Sequence, residues 1–260
     1  MFKKKPYVRF VNEIPGVEVA HPIIPAKQFK HKWMSSLNKD VVSHNNACPV
    51  PATKGNTARC PGIIDLHKTG FIVPAPFDFV ITTNGSKENF EWLMHIDPAM
   101  VNKDNKQPYI SLHPKEQLHN YSPPRTDSLD VIIKVNTYWK LLSSDDIVFL
   151  QMPIPYPDHN IFTACHGIID SDKYNALNLQ LQWHKLEGEH LIKAGTPLCQ
   201  LVPMPKEFAV DLLVDKITDE DVYASKAYSY VTMHEFTKDT SRWKSAVKNI
   251  MDTLRKSINR

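Results

Sequence analysis

The sequence predicts a mainly β protein with an extended N-terminal arm and a helical C-terminal tail. The chain of 260 residues contains 20 prolines against 8 glycines. This favours short strands joined by stiff loops, because proline suits edge strands and is excluded from helix interiors. Residues 77–82 and 177–183 alternate apolar and polar side chains with the two-residue period of a strand. After Pro205 the apolar residues recur at helical spacing instead.

The N-terminal arm is predicted to run as far as Trp33. A short alternating strand begins it at Tyr7, and Pro22 and Pro25 keep the following chain extended. We expect Trp33 to anchor the arm against the body of the protein. The polar residues 38–58, which include two prolines, indicate a long surface loop.

The first alternating segment is predicted to form a β-hairpin. Its large apolar residues share one face. Asn84 and Gly85 then provide the two positive-φ positions of a type I′ turn, and residues 89–95 return as the partner strand. The polar stretch 97–127 is expected to leave the sheet.

Two further strands are predicted in the middle of the chain, at 130–135 and 147–152. Residues 138–140 and a turn at 143–146 are expected to separate them. Residues 152–157 contain three prolines, which lack the N–H groups that a strand ladder needs. This segment is therefore predicted to be a rigid, extended rim.

The stretch 162–205 is the part around which the rest of the chain is organised. It is predicted to contain a strand that ends in an acidic turn at 170–174, then the second alternating strand. A polar loop and a turn at 193–196 follow, and a last strand ends the stretch. The change of period after it divides the chain into three regions. These are the N-terminal strand and extended arm (1–46), a β domain (47–208) and an α-helical tail (209–260).

The tail is predicted to be a pair of helices with a basic surface. Thr218 begins the first helix with acidic residues in its first turn, and an apolar stripe at 243–254 marks the second. Both ends of the chain are basic, although the net charge is only +3. A solvated helix face explains these charges better than a nucleic-acid contact, so nucleic acid is not an expected partner.

Hydropathy and the first residues exclude two further classes of protein. No apolar run approaches the roughly 20 residues of a membrane span, so no membrane partner is expected. The first residues do not form a signal peptide, so we do not expect secretion by that route.

The cysteines and histidines predict neither disulfides nor a metal site. Their spacings match no disulfide framework and no known pair of metal ligands. Neighbouring residues 165 and 166 point to opposite faces of a strand, which excludes a direct thiolate–imidazole pair. The residues considered are Cys48, Cys60, Cys165, Cys199, His159, His166, His184 and His190.

Residues 167–174 and 192–202 resemble a known enzyme superfamily. The first segment is Gly-Ile-Ile-Asp-Ser-Asp-Lys-Tyr and the second is Ile-Lys-Ala-Gly-Thr-Pro-Leu-Cys-Gln-Leu-Val. In order and spacing they resemble the Gly-Val-Ile-Asp-x-Asp-Tyr turn and the Lys-Lys-Gly-Asp-Arg-Ile-Ala-Gln-Leu strand of the dUTPase and dCTP deaminase superfamily. Asp65, ahead of residues 70–74, is similar to the acidic residue of that superfamily's first motif. The resemblance implies a dUTPase-like β-clip of short mixed strands, in a homo-oligomer that is commonly a trimer.

A larger frame over residues 7–208 resembles a family of uncharacterised proteins of marine bacteriophages. The shared features are a Pro-x-x-Pro-Ala-Lys arm that leads to Trp33, a Cys-Pro block that begins at Cys60, and the Gly-Thr-Pro-Leu turn at 195–198. This resemblance implies a location in the virion or the host cytoplasm, with other virion proteins as partners. It implies no particular activity.

The superfamily resemblance also implies candidate site residues. Asp170 matches the aspartate that orients the attacking water. Tyr174 is the nearest match to the tyrosine that stacks on the pyrimidine, displaced by the extra Lys173. Tyr156 is an alternative stacking ring, and Asp65 is a further ligand-binding candidate. Mg²⁺ is an implied cofactor only if this chemistry operates, and otherwise no cofactor is expected.

The chain departs from the superfamily's apparatus for binding phosphate. The Pro-Arg-Ser-Gly segment of those enzymes corresponds here to residues 152–157, which contain neither arginine nor serine. Their glycine-rich closing arm has no counterpart, because no glycine follows Pro205. Phosphoryl transfer depends on positioning and charge stabilisation. We therefore expect Asp170 to be a turn residue rather than a base.

Three functions remain open on the sequence alone. The sequence favours a non-enzymatic structural or binding component, assembled as an oligomer. The first alternative is a nucleotide-binding or nucleotide-hydrolysing dUTPase relative with a rebuilt site. The second is a host-interaction factor that uses the β-clip for a different small ligand.

Overall fold

The structure is a computed structural model that describes residues 6–36, 40–42, 53–55, 60–94, 108–118, 126–207 and 212–225. The described chain is mainly β, as predicted, and every strand pairing in it is antiparallel. The expectation of mixed strands is wrong for these residues. Long connections do join strands that are neighbours in a sheet but not in sequence, yet each such described pair is antiparallel. The chain separates into two compact units, Met1–Phe208 and Ala209–Arg260.

The described secondary structure comprises the following strands and helices, numbered in chain order. The strands are β1 (Val8–Asn12), β2 (Ile24–Pro25), β3 (Asp40–Val42), β4 (Thr53–Gly55), β5 (Phe71–Pro74), β6 (Phe79–Asn84), β7 (Phe90–Met94), β8 (Ile110–His113), β9 (Ile132–Ser143), β10 (Ile147–Met152), β11 (Phe162–Ala164), β12 (Gly167–Ile169), β13 (Ala176–Trp183), β14 (Glu187–Ile192) and β15 (Pro197–Pro205). The α-helices are α1 (Val17–Ala20), α2 (Pro61–Lys68) and a helix at 219–225 in the second unit. Short 3₁₀ helices lie at Ala26–Gln28, Lys32–Ser36 and Lys115–Leu118.

The first sheet is built on β9, the longest described strand. β13 lies along one edge of β9, and β8 and β1 share the other edge end to end. Residues 138–140, predicted to separate two strands, lie inside β9. The prediction is wrong because the pairing with β13 shifts register there and Tyr138 takes φ 55°. Such a bulge interrupts the two-residue period without ending the strand.

The core packs against β13, whose burial alternates as predicted. Leu177, Leu179, Leu181 and Trp183 are all buried on one face. They join an apolar cluster that includes Phe149 of β10. Each fully buried leucine contributes about 2 kcal/mol to folding through its removal from water. This local period is the part of the fold that the sequence shows most directly.

The second sheet has the order β12-β10-β15-β5-β2, and α2 is fixed to its central strand. The side-chain amide of Gln200 on β15 donates to the carbonyl oxygens of Leu66 and Thr69, at 2.8 and 2.6 Å. Gly70 then enters β5 at φ 81°, and a Cβ there would lie 2.0 Å from the Leu201 carbonyl oxygen. Only glycine allows the chain to pass this close to β15.

Residues 61–68 form helix α2, whereas the sequence resemblance implies a segment that leads directly into a strand. Pro61 stands at its first position, where a missing N–H is harmless. Asp65 therefore lies on the exposed side of a helix, rather than in a loop that leads into β5.

The third sheet, β14-β6-β7, contains the predicted hairpin. Its turn differs from the prediction, because residues 85–89 connect the two strands instead of a two-residue type I′ turn. Gly85 takes φ 87°, but Asn84 does not have positive φ. The Asn84 side chain instead accepts a hydrogen bond from the Ser86 amide at 3.1 Å. This side-chain contact favours the longer loop.

Three stretches predicted as loops contain strands. β14 lies in the loop after Trp183 and pairs with β6. β8 lies in the stretch 97–127 and pairs with β9, while β3 and β4 pair with each other inside 38–58. These strands are short, and β8 and β14 form their ladders with partners from other parts of the chain. Their own residues therefore carry no clear two-residue period.

The second compact unit begins its helix where the sequence predicts. The Thr218 amide and hydroxyl donate to the Asp221 carboxylate, at 2.9 and 2.7 Å, and the Asp221 amide donates back to the Thr218 hydroxyl at 3.2 Å. This reciprocal capping begins a helix at residues 219–225. The second predicted helix, at 243–254, lies outside the described residues. In the part of the chain that is described, no helix has the length and apolar character to cross a membrane.

Candidate functional site

The acidic turn, residues 170–174, closes tightly after β12. The Asp170 carbonyl oxygen accepts hydrogen bonds from the amides of Lys173 and Tyr174, at 3.0 and 2.9 Å. One oxygen of the Asp170 carboxylate accepts from the Asp172 amide at 3.2 Å. Asp170 therefore stabilises the turn through both its backbone and its side chain.

Two lysines neutralise the carboxylates of the acidic turn. Lys206, at the end of β15, places Nζ 3.2 Å from the Asp170 carboxylate and 2.7 Å from that of Asp172. Lys173 Nζ lies 3.4 Å from the same Asp170 carboxylate. Partial burial by itself would raise the pKa of Asp170, but the hydrogen bonds from Lys206 and Asp172 outweigh it and lower that pKa. The hydrogen bonds that Lys206 donates to the carboxylates of Asp172 and then Asp170 raise the pKa of Lys206. Both carboxylates of the acidic turn are thus paired with lysine side chains.

Tyr174 shares the turn with Asp170 but directs its ring elsewhere. Its phenol oxygen accepts a hydrogen bond from the side-chain amide of Asn178 on β13. The residue is 53% exposed. The structure thus places these two predicted site residues in one turn and leaves one face of the ring in solvent.

The other two predicted site residues lie on a different part of the β domain. Tyr156 stands on the rim, which leaves the sheet after β10 as predicted. The rim begins at residue 153 rather than at 152, because Met152 is the last residue of β10, and it continues to residue 160. Its ring stacks on that of His67 in α2, at 5.8 Å between centroids and 12° between planes. Asp65 is exposed on the same helix. Within the described residues, no hydrogen bond, ion pair or ring contact joins Tyr156 or Asp65 to the acidic turn.

Tyr156 and His67 belong to a group of aromatic rings that we call the imidazole cluster. The rings of His31 and His67 meet edge to face at 4.9 Å and 83°. Trp33 lies 5.2 Å from His31 and 5.8 Å from His67, measured between ring centroids. Phe29 meets His31 edge to face at 4.8 Å. The cluster consists of Phe29, His31, Trp33, His67 and Tyr156.

Hydrogen bonds join the three segments that build the cluster. The indole N–H of Trp33 donates to the Tyr156 carbonyl oxygen at 2.9 Å, so Trp33 anchors the arm as predicted. The Lys32 amide donates to both carboxylate oxygens of Asp158 on the rim, at 3.1 and 3.2 Å. The arm is therefore tied to the rim on one side and packed against α2 on the other.

Two ring nitrogens in the imidazole cluster are buried without a hydrogen-bond partner among the described residues. They are Nδ1 of His31 and Nε2 of His67. His67 Nδ1 lies 2.7 Å from the Ile63 carbonyl oxygen, which can only accept. The proton of neutral His67 therefore sits on Nδ1, and Nε2 holds a buried lone pair. Buried polar atoms without partners are rare, and each one calls for an explanation.

The backbone of Tyr156 is strained. The residue takes φ 50°, in the left-handed region that a non-glycine residue enters at a cost of about 1 kcal/mol. Its side chain is 56% exposed, although its ring stacks on His67. Nothing in the sequence around Tyr156 indicated this conformation. Residues held in this way concentrate at ligand clamps and switches.

Among the histidines outside the cluster, burial lowers the pKa of His159, whose ring packs on Phe162. Burial raises the pKa of the Cys165 and Cys199 thiols, which opposes formation of a reactive thiolate. His184 shares a 2.7 Å hydrogen bond with Thr163, and the His190 ring donates from Nε2 to the Glu187 carbonyl oxygen on its own strand, 3.0 Å away. No three His, Cys, Asp or Glu side chains converge on a metal position in the part of the chain that the structure describes.

Comparison with known proteins adds no family assignment. No protein-family model matches the chain, and no curated protein matches it.

Sequence reasoning missed the imidazole cluster. Its rings come from residues 29–33, 67 and 156, which no motif spacing connects. The one available signal was the density of aromatic rings around His31, between Phe29 and Trp33. That signal does not reveal that α2 brings a second imidazole against them.

Proposed function

We propose that the protein is a non-enzymatic structural or binding component of the bacteriophage type, built on a dUTPase-like β-clip. It assembles as a homo-oligomer, with a trimer as the specific expectation. It acts in the virion or the host cytoplasm, with other virion proteins as its partners. The motif order over residues 7–208 and the mainly β character of the described chain support this proposal.

The state of Asp170 is the observation that carries the proposal. A general base needs a free carboxylate with a pKa near the working pH. Asp170 is instead paired with Lys206 and Lys173, it accepts from a turn amide, and its pKa is lowered. Through these contacts Asp170 links the acidic turn to Lys206 at the end of β15.

A hydrolysis assay tests the non-enzymatic character. The full chain is incubated with dUTP or dCTP and Mg²⁺, and released pyrophosphate is measured beside the Asp170→Asn variant. The wild type should release no more pyrophosphate than the variant. Turnover by the wild type that the Asp170→Asn change abolishes would overturn the proposal.

Two further measurements test assembly and location. Light scattering should give the mass of an oligomer at micromolar concentration, and a monomer would contradict the assembly. Mass spectrometry of purified virions should detect the protein. Its absence from them would contradict the structural role and leave the binding role in the host cytoplasm.

A nucleotide-binding relative with a rebuilt site is the second candidate function. The exposed ring of Tyr156, held at positive φ against His67, favours it, because base–aromatic stacking contributes about 1–3 kcal/mol per base. Tyr174 is the alternative ring.

A thermal-shift panel of deoxynucleotides with Mg²⁺ separates these two rings. Binding at the rim predicts a stabilisation of a few degrees that Tyr156→Ala removes and Tyr174→Ala retains. The opposite pattern would place the base at the acidic turn. Flat curves with the wild type would eliminate the second candidate.

A further inference from the structure

Three segments distant in sequence meet at the imidazole cluster. The arm contributes His31 and Trp33, α2 contributes His67, and the rim contributes Tyr156 and Asp158. No described strand ladder joins the arm beyond β2 to the rim. The packing of these rings and a few hydrogen bonds therefore hold residues 31–36 in place.

The burial and the ring contacts of His31 suit a neutral imidazole. His31 is only 3% exposed, and its ring edge meets His67 at 4.9 Å. His31 Nδ1 lies 3.9 Å from the Asp158 carboxylate, which is too long for a hydrogen bond. A neutral imidazole packs against other rings as an aromatic group. An imidazolium in the same place would be a buried charge, which costs free energy unless it is paired.

A single carboxylate among the described residues faces His31, and it lies too far away to pair with an added proton through a hydrogen bond. Asp158, on the rim, is the single carboxylate in the described chain that acts on His31, and His67 opposes it. Asp65, on the same helix as His67, is exposed. The other groups that face the pair are the phenol of Tyr156 and the uncharged rings of Trp33 and Phe29. His159 lies next to Asp158 in sequence but packs its ring on Phe162.

We propose that the imidazole cluster is a proton-sensitive latch. Neutral His31, packed against His67, holds residues 31–36 against α2 and the rim, and uptake of a proton by His31 in mildly acidic solution releases that segment. Release frees the faces of the His67 and Tyr156 rings that Trp33 covers. The latch belongs to the fold itself and holds whether or not the protein is part of a virion.

The direction of the pH dependence follows from His31. Burial, and then the neighbouring His67, lower the pKa of His31 against the opposing effect of Asp158. The released segment has the ordinary histidine pKa of about 6.5, so it binds more protons than the closed latch below that pH. The latch is therefore fully closed above about pH 6.5 and weakens as the pH falls toward the pKa of buried His31. Across that window each pH unit shifts the ratio of closed to open by up to about tenfold per proton.

Hydrogen–deuterium exchange of the full chain measures the latch directly. The amides of Lys32 and Met34 are hydrogen-bonded in the closed state, to Asp158 and to the His31 carbonyl oxygen. After correction for intrinsic exchange, their protection should fall by up to about tenfold between about pH 7.5 and pH 5.5. Protection of β13 should change little over the same range. Equal protection of the two amides at both pH values would overturn the proposal.

A double variant shows whether the imidazoles are responsible. His31→Phe combined with His67→Phe keeps two aromatic rings and removes both proton acceptors, so arm protection should become independent of pH. The matched control is His166→Phe, an exposed histidine outside the cluster, which should retain the wild-type pH dependence. A double variant that loses arm protection at low pH as the wild type does would overturn the latch.

A measurement on the wild type decides the matter if the double variant does not fold. The His31 imidazole is titrated by nuclear magnetic resonance, while the amide signals of residues 31–36 are followed in the same samples. His31 should titrate below about 6.5, and the amide signals should change with the same midpoint. A His31 midpoint at or above 6.5, or amides that do not follow it, would overturn the proposal.

Discussion

The acidic turn and the imidazole cluster both bring ionisable side chains together. The turn pairs its charged groups, whereas the cluster buries ring nitrogens without a described hydrogen-bond partner. In the turn, Asp170 and Asp172 find partners in Lys206, Lys173 and backbone amides. In the cluster, His31 and His67 each bury a ring nitrogen that has no partner among the described residues. The turn carries the sequence signature of a catalytic site, whereas the cluster carries no recognised motif.

This difference shows that a motif and an unsatisfied group are separate kinds of evidence. A carboxylate that is fully paired is held in one protonation state and one position, which suits a structural strut. A buried polar atom without a partner leaves room for a change in protonation or contact. The structure thus favours a structural role for the turn and a conditional role for the cluster.

Gly70 offers the largest expected effect, because it lets α2 carry His67 into the cluster. Gly70→Ala would place a Cβ 2.0 Å from the Leu201 carbonyl oxygen at φ 81°. Backbone strain and overpacking together predict a loss of about 3 kcal/mol in the free energy of unfolding, measured by urea denaturation. The acidic turn should keep its ion pairs in this variant.

Gly16→Ala is the matched control for that change. Gly16 takes φ 92°, but a Cβ there would meet no atom within 4 Å. Only the strain remains, so the loss should be about 1 kcal/mol. Equal losses in the two variants would show that the close approach at Gly70 is not what positions α2.

Trp33 tests how much the arm depends on its anchor. Trp33→Phe keeps an aromatic ring and removes the indole hydrogen bond to the Tyr156 carbonyl oxygen, so unfolding free energy should fall by about 1 kcal/mol. Trp92→Phe, at the exposed edge strand β7, is the control and should change stability less. Urea denaturation of both variants checks the comparison. A smaller loss at Trp33 than at Trp92 would contradict the anchoring role.

Tyr156 separates backbone strain from ring packing. Tyr156→Ala and Tyr156→Gly both remove the stacked ring, but only glycine relieves the strain at φ 50°. The glycine variant should therefore be the more stable of the two by up to about 1 kcal/mol, measured by thermal or urea unfolding. An alanine variant as stable as the glycine variant would mean that the backbone at Tyr156 is not strained.

Lys206 gives the smallest expected effect on stability and the clearest one on titration. Lys206→Ala removes a lysine that lowers the pKa of Asp170, so the pKa should rise toward the ordinary aspartate value of about 3.9. Because the folded pKa is lowered, the carboxylate stabilises the wild type above that value, and this contribution disappears as the pH falls through the folded pKa. The variant should therefore have less of this contribution at every pH above about 3.9.

Carboxyl chemical shifts followed against pH measure this change. Lys173→Ala is the control, because its ammonium lies farther from Asp170, at 3.4 Å, on a side chain that is 81% exposed. It should raise the pKa of Asp170 less than Lys206→Ala does. The reverse order would show that Lys206 is not the main partner of the acidic turn.

Much of the β architecture is predictable because its evidence is local. The alternation along β13, the β6–β7 pair, the proline-stiffened rim and the helix start at Thr218 all appear in the structure. Each depends on the period of burial, on proline geometry or on a cap within a few residues. The acidic turn was predictable for the same reason, although its ion pair with Lys206 was not.

What the sequence by itself determined is therefore the mainly β character, the strands with a clear two-residue period and the places where the chain turns. Only the tertiary structure decided that β9 continues through Tyr138, that residues 61–68 form a helix, and that polar β14 completes a sheet. It alone decided that His31 meets His67 and that Lys206 neutralises Asp170. The physical reason is distance along the chain. Periodicity and capping act between near neighbours, whereas a buried imidazole or an ion pair depends on which remote segment packs beside it.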